Sequence, residues 1–231
     1  MTRPPKSHLV RVGLDEILAD LREGDPVPAE RELASRFGVA RETVRQALHE
    51  LLVEGRIERR GRGTVVSRPK LVQELFLQSY TEGAAEHGRR PSRLLVGWDT
   101  LPATADIAAA LNLPVGSPIV HLERVLLADQ QRIALESTHL PGGRFGHFVG
   151  TFDPVTSLYA AIRAMGVRFG SAVERIETVL PSPREAELLE TTTAMPMLLL
   201  NRRSVDVDGV PIELVRGLYR GDRIAFRTLL T

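Results

Sequence analysis

Between Ala29 and Val66 the hydrophobic pattern keeps a helical period over two short stretches and then turns to alternation, an order that leaves few folds open. Leu33 and Phe37 set the first stretch, over about 29–36, and Val44, Leu48, Leu51 and Leu52 set the second, over 41–54. Only Gly38-Val39-Ala40 separates them, and Gly38 stands where a chain leaving a helix needs positive φ. A longer amphipathic helix precedes both. Leu9, Val10, Leu14, Ile17, Leu18 and Leu21 place it over roughly 8–22, ending near Gly24 and the Pro26-Val27-Pro28 break.

Two helices joined by so tight a turn describe a helix-turn-helix, whose second helix is the reader. Its buried stripe leaves Arg41, Glu42, Thr43, Arg45, Gln46 and His49 exposed. The first four lie in the opening turns, the part of such a helix that reaches base edges in a major groove. Arg41 and Arg45 share one face and can donate in pairs to guanine or phosphate oxygens. Taken alone, the same spacing equally suits a solvated helix face.

The next residues are "RIERRGRGTVVS", with four arginines and two glycines in residues 56–63. A phosphate-binding loop needs a helix after its glycines, and here the alternating Thr64-Val65-Val66-Ser67 follows. A disordered Arg/Gly tract needs repeats, and there is one copy. The remaining reading is a hairpin with Arg60-Gly61-Arg62-Gly63 at its tip, where glycine permits close backbone approach and arginine suits a narrow, electronegative minor groove.

Charge supports a phosphate-facing strip. Residues 1–70 carry 14 basic and 11 acidic side chains, the remainder 16 and 18, and within 56–70 the balance is six to one. Only two of the basic residues are lysines, which a GC-rich genome explains as well as function does. The chain has no cysteine, which excludes disulfides, thiolate nucleophiles and cysteine-based metal sites. The six histidines fall at no metal-site spacing, so neither metal nor cofactor is expected. No apolar run is long enough to span a membrane and the first residues lack a signal-peptide core, which predicts a cytoplasmic protein.

At 231 residues the chain has room for two domains. Beyond Arg68-Pro69-Lys70, strands are predicted near 92–99, 117–127, 131–140, 168–180, 196–206, 211–220 and 224–230. Short helices fit near 80–87, 104–111, 155–165 and 183–190, and hairpin turns fall at Asp129-Gln130 and Asp208-Gly209. The expected class is α+β on an antiparallel sheet. This region also repeats itself. "LPATADIAAALNLPVGSPIVHLERVLLADQQRIALE" and "LPSPREAELLETTTAMPMLLLNRRSVDVDGVPIELV" keep Pro118 with Pro196 and Arg124 with Arg202 in one register, while Glu136 and Glu213 match only if one turn differs by a residue. Such pairing suggests two halves about a pseudo-twofold axis with a pocket near it.

The stretch "VPAERELASRFGVARETVRQALHELLVEGRIERRGRGTVV" resembles the winged helix-turn-helix of GntR-type bacterial transcription regulators, and the likeness covers nearly all of 8–68. It implies that Arg31, Arg41, Thr43 and Arg45 contact an operator, that Arg60 and Arg62 flank the wing tip, and that a tip glycine enters the minor groove. Two departures stand out. Ala29 replaces the usual serine, removing a capping box with Glu32 at an expected cost of about 1 kcal/mol. The wing is one residue shorter than usual, which leaves Gly61 and Gly63 both open as the inserted glycine.

The motifs "SPIVHLERVLLAD", "IALESTHLP", "TSLYAAI", "SPREAELL" and "LYRGDRIAF" resemble the UTRA domain, the effector-binding, chorismate lyase-like domain of the HutC branch of that family. The resemblance implies an N-terminal winged helix-turn-helix over 1–67, a linker over 68–75 and a UTRA effector-binding and dimerisation domain over 76–231. It is closest to repressors that answer to N-acetylglucosamine and glucosamine 6-phosphates. By that likeness Thr81, Arg124, Ser157 and Tyr159 hold the phosphate, and Glu136, Glu213 and Tyr219 the sugar. Where that branch has a second arginine this chain has Leu126, and Arg175 is a candidate substitute.

The function expected is therefore that of a homodimeric repressor on a palindromic double-stranded DNA operator, controlled by a small effector such as a phosphosugar. The competing reading is an enzyme of the chorismate lyase type, with Arg124, Glu136 and Glu213 binding an anion and moving a proton. Against it, the chain has no nucleophile–base pair, and fold does not carry function. A regulator answering to a non-phosphorylated carboxylate or sugar is a further alternative, and a third reading is a regulator whose ligand site has decayed, its second domain serving only to dimerise.

Overall fold

The computed structural model describes residues 6–61, 63–75, 80–86 and 88–229, and of Lys6, Ser7, Thr81 and Glu86 the backbone alone. The chain divides into two compact units, Met1–Lys70 with Gly221–Arg223, and Leu71–Arg220 with Ile224–Thr231.

The first unit holds α1 (Lys6–Ala19), α2 (Glu30–Phe37), α3 (Arg41–Val53) and a hairpin of β1 (Ile57–Arg60) and β2 (Gly63–Val66). Val10 and Leu14 from α1, Leu33 from α2, Val44 and Leu51 from α3 and Ile57 from β1 meet in one core, each no more than 1% exposed. The helix α1 ends at Ala19, short of the expected 22, because Asp20 and Leu21 tighten to bonds three residues back and Asp25 accepts the Arg22 backbone N–H at 2.7 Å. Gly38 closes α2 at φ 62°, donating to the carbonyls of Ala34 and Ser35. At the other end Ala29 offers no side-chain cap. The hairpin register pairs Ile57 with Val66 and Arg60 with Gly63, and Pro26 bridges to Val65 on the far side of β2.

The second unit is built on a six-stranded antiparallel sheet of β4 (Pro91–Pro102), β5 (Pro118–Ala128), β6 (Gln131–Pro141), β7 (Phe169–Val179), β8 (Met197–Asp206) and β9 (Pro211–Arg220). Its order, β4-β5-β6-β9-β8-β7, reads the same from either edge once the second three strands are matched to the first three. The internal repeat thus becomes two three-stranded halves meeting at β6 and β9. α5 (Ala105–Leu111) and α9 (Pro183–Leu188) occupy equivalent places after β4 and β7. α9 opens on Ser182 with a complete capping box to Glu185 and proline at its first turn.

One face of the sheet packs Ile119 against Leu111 of α5, and Val125, Met197 and Leu218 against Leu189 at the end of α9. On the other lie two separate clusters. Val120, Leu122 and Leu140 meet α6 (Gly142–Phe145), α7 (Phe148–Thr151) and α8 (Leu158–Ala164), while Leu126 and Leu200 meet α4 (Tyr80–Glu86), β3 (Leu71–Glu74) and β10 (Ile224–Arg227). α6 and α7 were not expected, being four residues each and too short to show a period. Nor was β3, which takes up half of the expected linker. It pairs in parallel with β10, at the far end of the chain, so no hairpin signal announces it. β10 itself stops at Arg227, short of the expected 230.

Candidate functional site

Each unit offers one site. In the first, Arg31, Arg41 and Arg45 are exposed on α2 and α3, Thr43 is half-buried, and Arg60, Gly61 and Gly63 are exposed at the hairpin tip; Arg62 lies outside the described residues. Glu30, at the start of α2, ties the surface together. Its carboxylate lies 3.3 Å from the Arg45 guanidinium and 3.8 Å from that of Arg59, so α2, α3 and β1 converge there. Arg45 also donates to Glu42 at 2.8 Å and Arg60 to Glu58 at 3.0 Å. The Arg45–Glu42 pair is exposed and worth about 0–1 kcal/mol, so phosphate oxygens can replace that carboxylate at little cost, whereas Glu58 is buried and also pairs with Arg223 at 2.6 Å. Arg59 was missed by sequence reasoning; its place in the hairpin, where it donates to Thr64 Oγ1 at 2.9 Å, was the available signal.

The two tip glycines differ. Gly61 has φ +59° with open space where a Cβ would stand, so its need for glycine is conformational. Gly63 lies in β2 without positive φ and would accept a Cβ at ordinary contact distance.

In the second unit a cavity of about 40 Å³ opens between the two clusters on the α8 face of the sheet. Six of the seven expected effector residues line it: Arg124, Glu136, Ser157, Tyr159, Glu213 and Tyr219. The seventh, Thr81, has its side chain outside the described residues. Arg124, 3% exposed, donates to Glu136 at 2.8 Å and to the carbonyls of Thr156 and Pro154 at 3.0 and 3.3 Å. Tyr159, on the buried face of α8, donates its hydroxyl to Glu213 and accepts from Arg202 at 3.0 Å, while Ser204 donates to the same Glu213 oxygen at 2.8 Å. Ser157 spends its side-chain oxygen on capping α8 at the Ala160 N–H.

Burial governs the protonation of these groups. Complete burial pushes the Glu213 carboxyl up, against the pull of Tyr159 and Arg202. Burial also raises the Tyr159 and Tyr219 hydroxyls, aided by the Glu213 and Glu136 charges respectively. The Arg93 guanidinium is lowered by burial and by its like-charged neighbour Arg124. Arg124 Nε, Gln73 Oε1 and Glu213 Oε2 are buried without a hydrogen-bond partner among the described residues.

Two arginines in this pocket were not on the expected list. Arg202 is the repeat partner of Arg124, and the shared register was the signal that could have found it; it is held by Glu174 on β7. Arg93 stands on β4 directly opposite Leu126, at the position where a guanidinium was expected to be missing. Leu126 itself is fully buried core. Arg175, the candidate substitute, is corrected: its side chain is 72% exposed and pairs with Glu177 at 3.0 Å, away from the cavity, because alternation on β7 turns it to the opposite face from Glu174. Glu213 also departs from strict repeat symmetry, lying opposite Ser204 where Glu136 lies opposite Arg124.

Among the described residues no group of side chains could hold a metal ion, and no helix is long and apolar enough to cross a membrane.

Residues 14–66 match the model of the gntR family of bacterial regulatory proteins and residues 86–225 that of the UTRA domain. The chain is 52% identical to the HTH-type transcriptional repressor PhnF of Mycolicibacterium smegmatis over 97% of its own length and 92% of that protein's. It is 34% identical to the HTH-type transcriptional repressor NagR of Bacillus subtilis, covering 92% and 90% of the two chains. The crystal structure of PhnF from Mycobacterium smegmatis superposes with a TM-score of 0.72 over 96% of this chain and 99% of that one. The exposed arginines of a helix-turn-helix and the buried arginines of a UTRA pocket thus belong to a member of the GntR family, a DNA-binding transcription regulator and not an enzyme.

Proposed function

We propose that this regulator is a cytoplasmic, homodimeric repressor of the HutC type that binds a palindromic operator and answers to a small anionic effector held in the UTRA pocket. Arg41, Thr43 and Arg45 read the major groove, Arg31 positions the helices on phosphate, and the hairpin with Arg60, Gly61 and Gly63 reaches the minor groove. The observation that carries the effector reading is the gathering of Arg93, Arg124 and Arg202 with Glu136 and Glu213 around one cavity whose lining keeps polar atoms without a partner among the described residues. Buried polar atoms are nearly always satisfied, so these await a ligand. Guanidiniums suit a phosphate and carboxylates suit hydroxyls or an amine, the two ends of an aminosugar phosphate.

A cavity of about 40 Å³ holds about three waters. A whole sugar phosphate therefore requires the lining side chains to move, and that movement supplies the preference for one state of the dimer over another. The small volume also favours a second reading, a compact carboxylate that fits as the pocket stands.

The test combines two measurements. In gel-shift assays with the operator, Arg45→Ala should lose about 1–3 kcal/mol of affinity; unchanged binding would refute the reading helix. In a thermal-shift screen, an effector at 100 times its dissociation constant stabilises by about 2.7 kcal/mol. Stabilisation by phosphosugars supports the first effector reading, by carboxylates alone the second, and by neither refutes both.

A further inference from the structure

Three residues late in the chain belong to the first unit. β9 ends at Arg220 and β10 begins at Ile224, yet the turn between them, Gly221–Arg223, is part of the same compact unit as Met1–Lys70. It is closely held there. The Lys70 ammonium donates to the Gly221 carbonyl at 2.6 Å. Gly55, at φ +71° between α3 and β1, would drive a Cβ into the Asp222 carbonyl, so only glycine lets the two backbones approach. Arg223, its side chain 15% exposed, reaches Glu58 on β1 at 2.6 Å, with an Asp222 carboxylate oxygen 3.4 Å from its Nε.

Glu58 is shared between this turn and the hairpin tip. Its side chain is only 10% exposed, and its two oxygens take different arginines: Oε2 takes Arg223, and Oε1 takes Arg60 at 3.0 Å. Arg60 is 64% exposed at the end of β1. Arg59, next to it on the strand, turns to the other face, toward Glu30 at 3.8 Å. With Arg223 in place, Glu58 has a buried counter-charge, and the exposed Arg60 can leave it for a phosphate at small cost. Without Arg223 the whole charge of a buried carboxylate falls on Arg60 and pins it to the protein.

We propose that Arg223 is a positioning residue for DNA binding: by neutralising Glu58 from the buried side, it releases Arg60 to the phosphate backbone. This rests on the reading of the hairpin as a wing given above. The turn that carries Arg223 follows Tyr219 of the pocket with Arg220 alone between them, so the strand that lines the cavity leads straight into the group that sets the charge of the wing.

The test is a set of affinities of the full-length chain for a duplex that the parent selects from random-sequence DNA, measured across a range of salt. Arg223→Ala should bind about fivefold more weakly near about 0.1 M salt, and its slope of log affinity against log salt should fall by about one, the loss of one phosphate contact. Glu58→Gln, alone or added to Arg223→Ala, frees Arg60 and should bind within about twofold of the parent or more tightly. Arg60→Ala should cost about fivefold in the parent and less than about twofold in Arg223→Ala, where its contact is already lost. Glu58→Gln decides the matter even if Arg223→Ala fails to fold, because a pair that merely anchored the turn would be broken by either change. A Glu58→Gln chain that binds about fivefold more weakly than the parent therefore overturns this role for Arg223, as does a folded Arg223→Ala chain that binds like the parent. Arg60→Ala without effect in the parent overturns the wing reading instead.

Discussion

The outer face of the helix-turn-helix and the pocket of the second unit are both built from arginines paired with glutamates, and they use the pairing in opposite ways. On α3 the Arg45–Glu42 pair is exposed. Arg45 is more than half accessible and shares its guanidinium between Glu30 and Glu42. In such a setting water screens each charge, and the pair forms or opens at small cost. In the pocket, Arg124 and Arg202 are nearly inaccessible, and their partners Glu136 and Glu174 are mostly buried. There the desolvation penalty is already incurred on folding, and removing one partner strands the other. The first arrangement can trade its carboxylates for a phosphate backbone. The second is a preformed, buried charge pattern.

The largest expected effect tests the buried side. Arg124→Ala removes the donor to Glu136 and to two backbone carbonyls, and should cost about 3–5 kcal/mol in chemical denaturation of the second unit. A loss below about 1 kcal/mol would place Arg124 with the exposed pairs and erase the contrast.

A pH profile comes next. Glu213 has its folded-state pKa raised above the ordinary 4.5, so its contribution to stability is complete below that value and is lost as pH rises through the folded pKa. Glu213→Gln keeps an oxygen to accept from Tyr159 and Ser204 but cannot ionise. Its melting temperature should gain on the parent as pH increases from about 4.5, and parallel profiles from pH 4 to 8 would show that Glu213 titrates normally.

On the exposed side, Ala29→Ser supplies the absent cap of α2 within reach of Glu32 and should raise the stability of the first unit by about 1 kcal/mol, measured by the same denaturation. The smallest effect belongs to Arg45→Ala. Its stability should stay within about 0.5 kcal/mol of the parent, despite the affinity it loses for DNA. A larger loss of stability would mean that the Glu30 network is structural.

Much of this arrangement was legible in the sequence, and what was hidden shares a cause. The helix-turn-helix announced itself through Leu33, Val44, Leu48 and Gly38, all within a short span. α9 did so through Ser182, Pro183 and Glu185. The strands β5, β6, β8 and β9 lie in hairpins whose turns, at Asp129-Gln130 and Asp208-Gly209, mark both partners. β3 had no such neighbour, because its partner β10 is the last strand of the chain. Arg93 was missed for the same reason: its importance comes from standing opposite Leu126 across two strands, a relation that periodicity within either strand does not carry. Arg202 was visible in the repeat but had no role until Tyr159 was seen against it. Contacts close in sequence leave a pattern there, and contacts that depend on topology leave almost none.

The pseudo-twofold of the sheet bears on what the pocket can tell apart. A cavity lying on a true twofold would accept an unsymmetrical molecule head-first or tail-first with equal ease, and its two orientations would be indistinguishable to the protein. Here the halves have diverged: Arg124 faces Glu136 across adjacent strands, whereas Arg202 leans on Glu174 and is capped by Tyr159. Duplication supplied two copies of a charged cradle, and divergence made them unequal, giving the cavity a sense of direction.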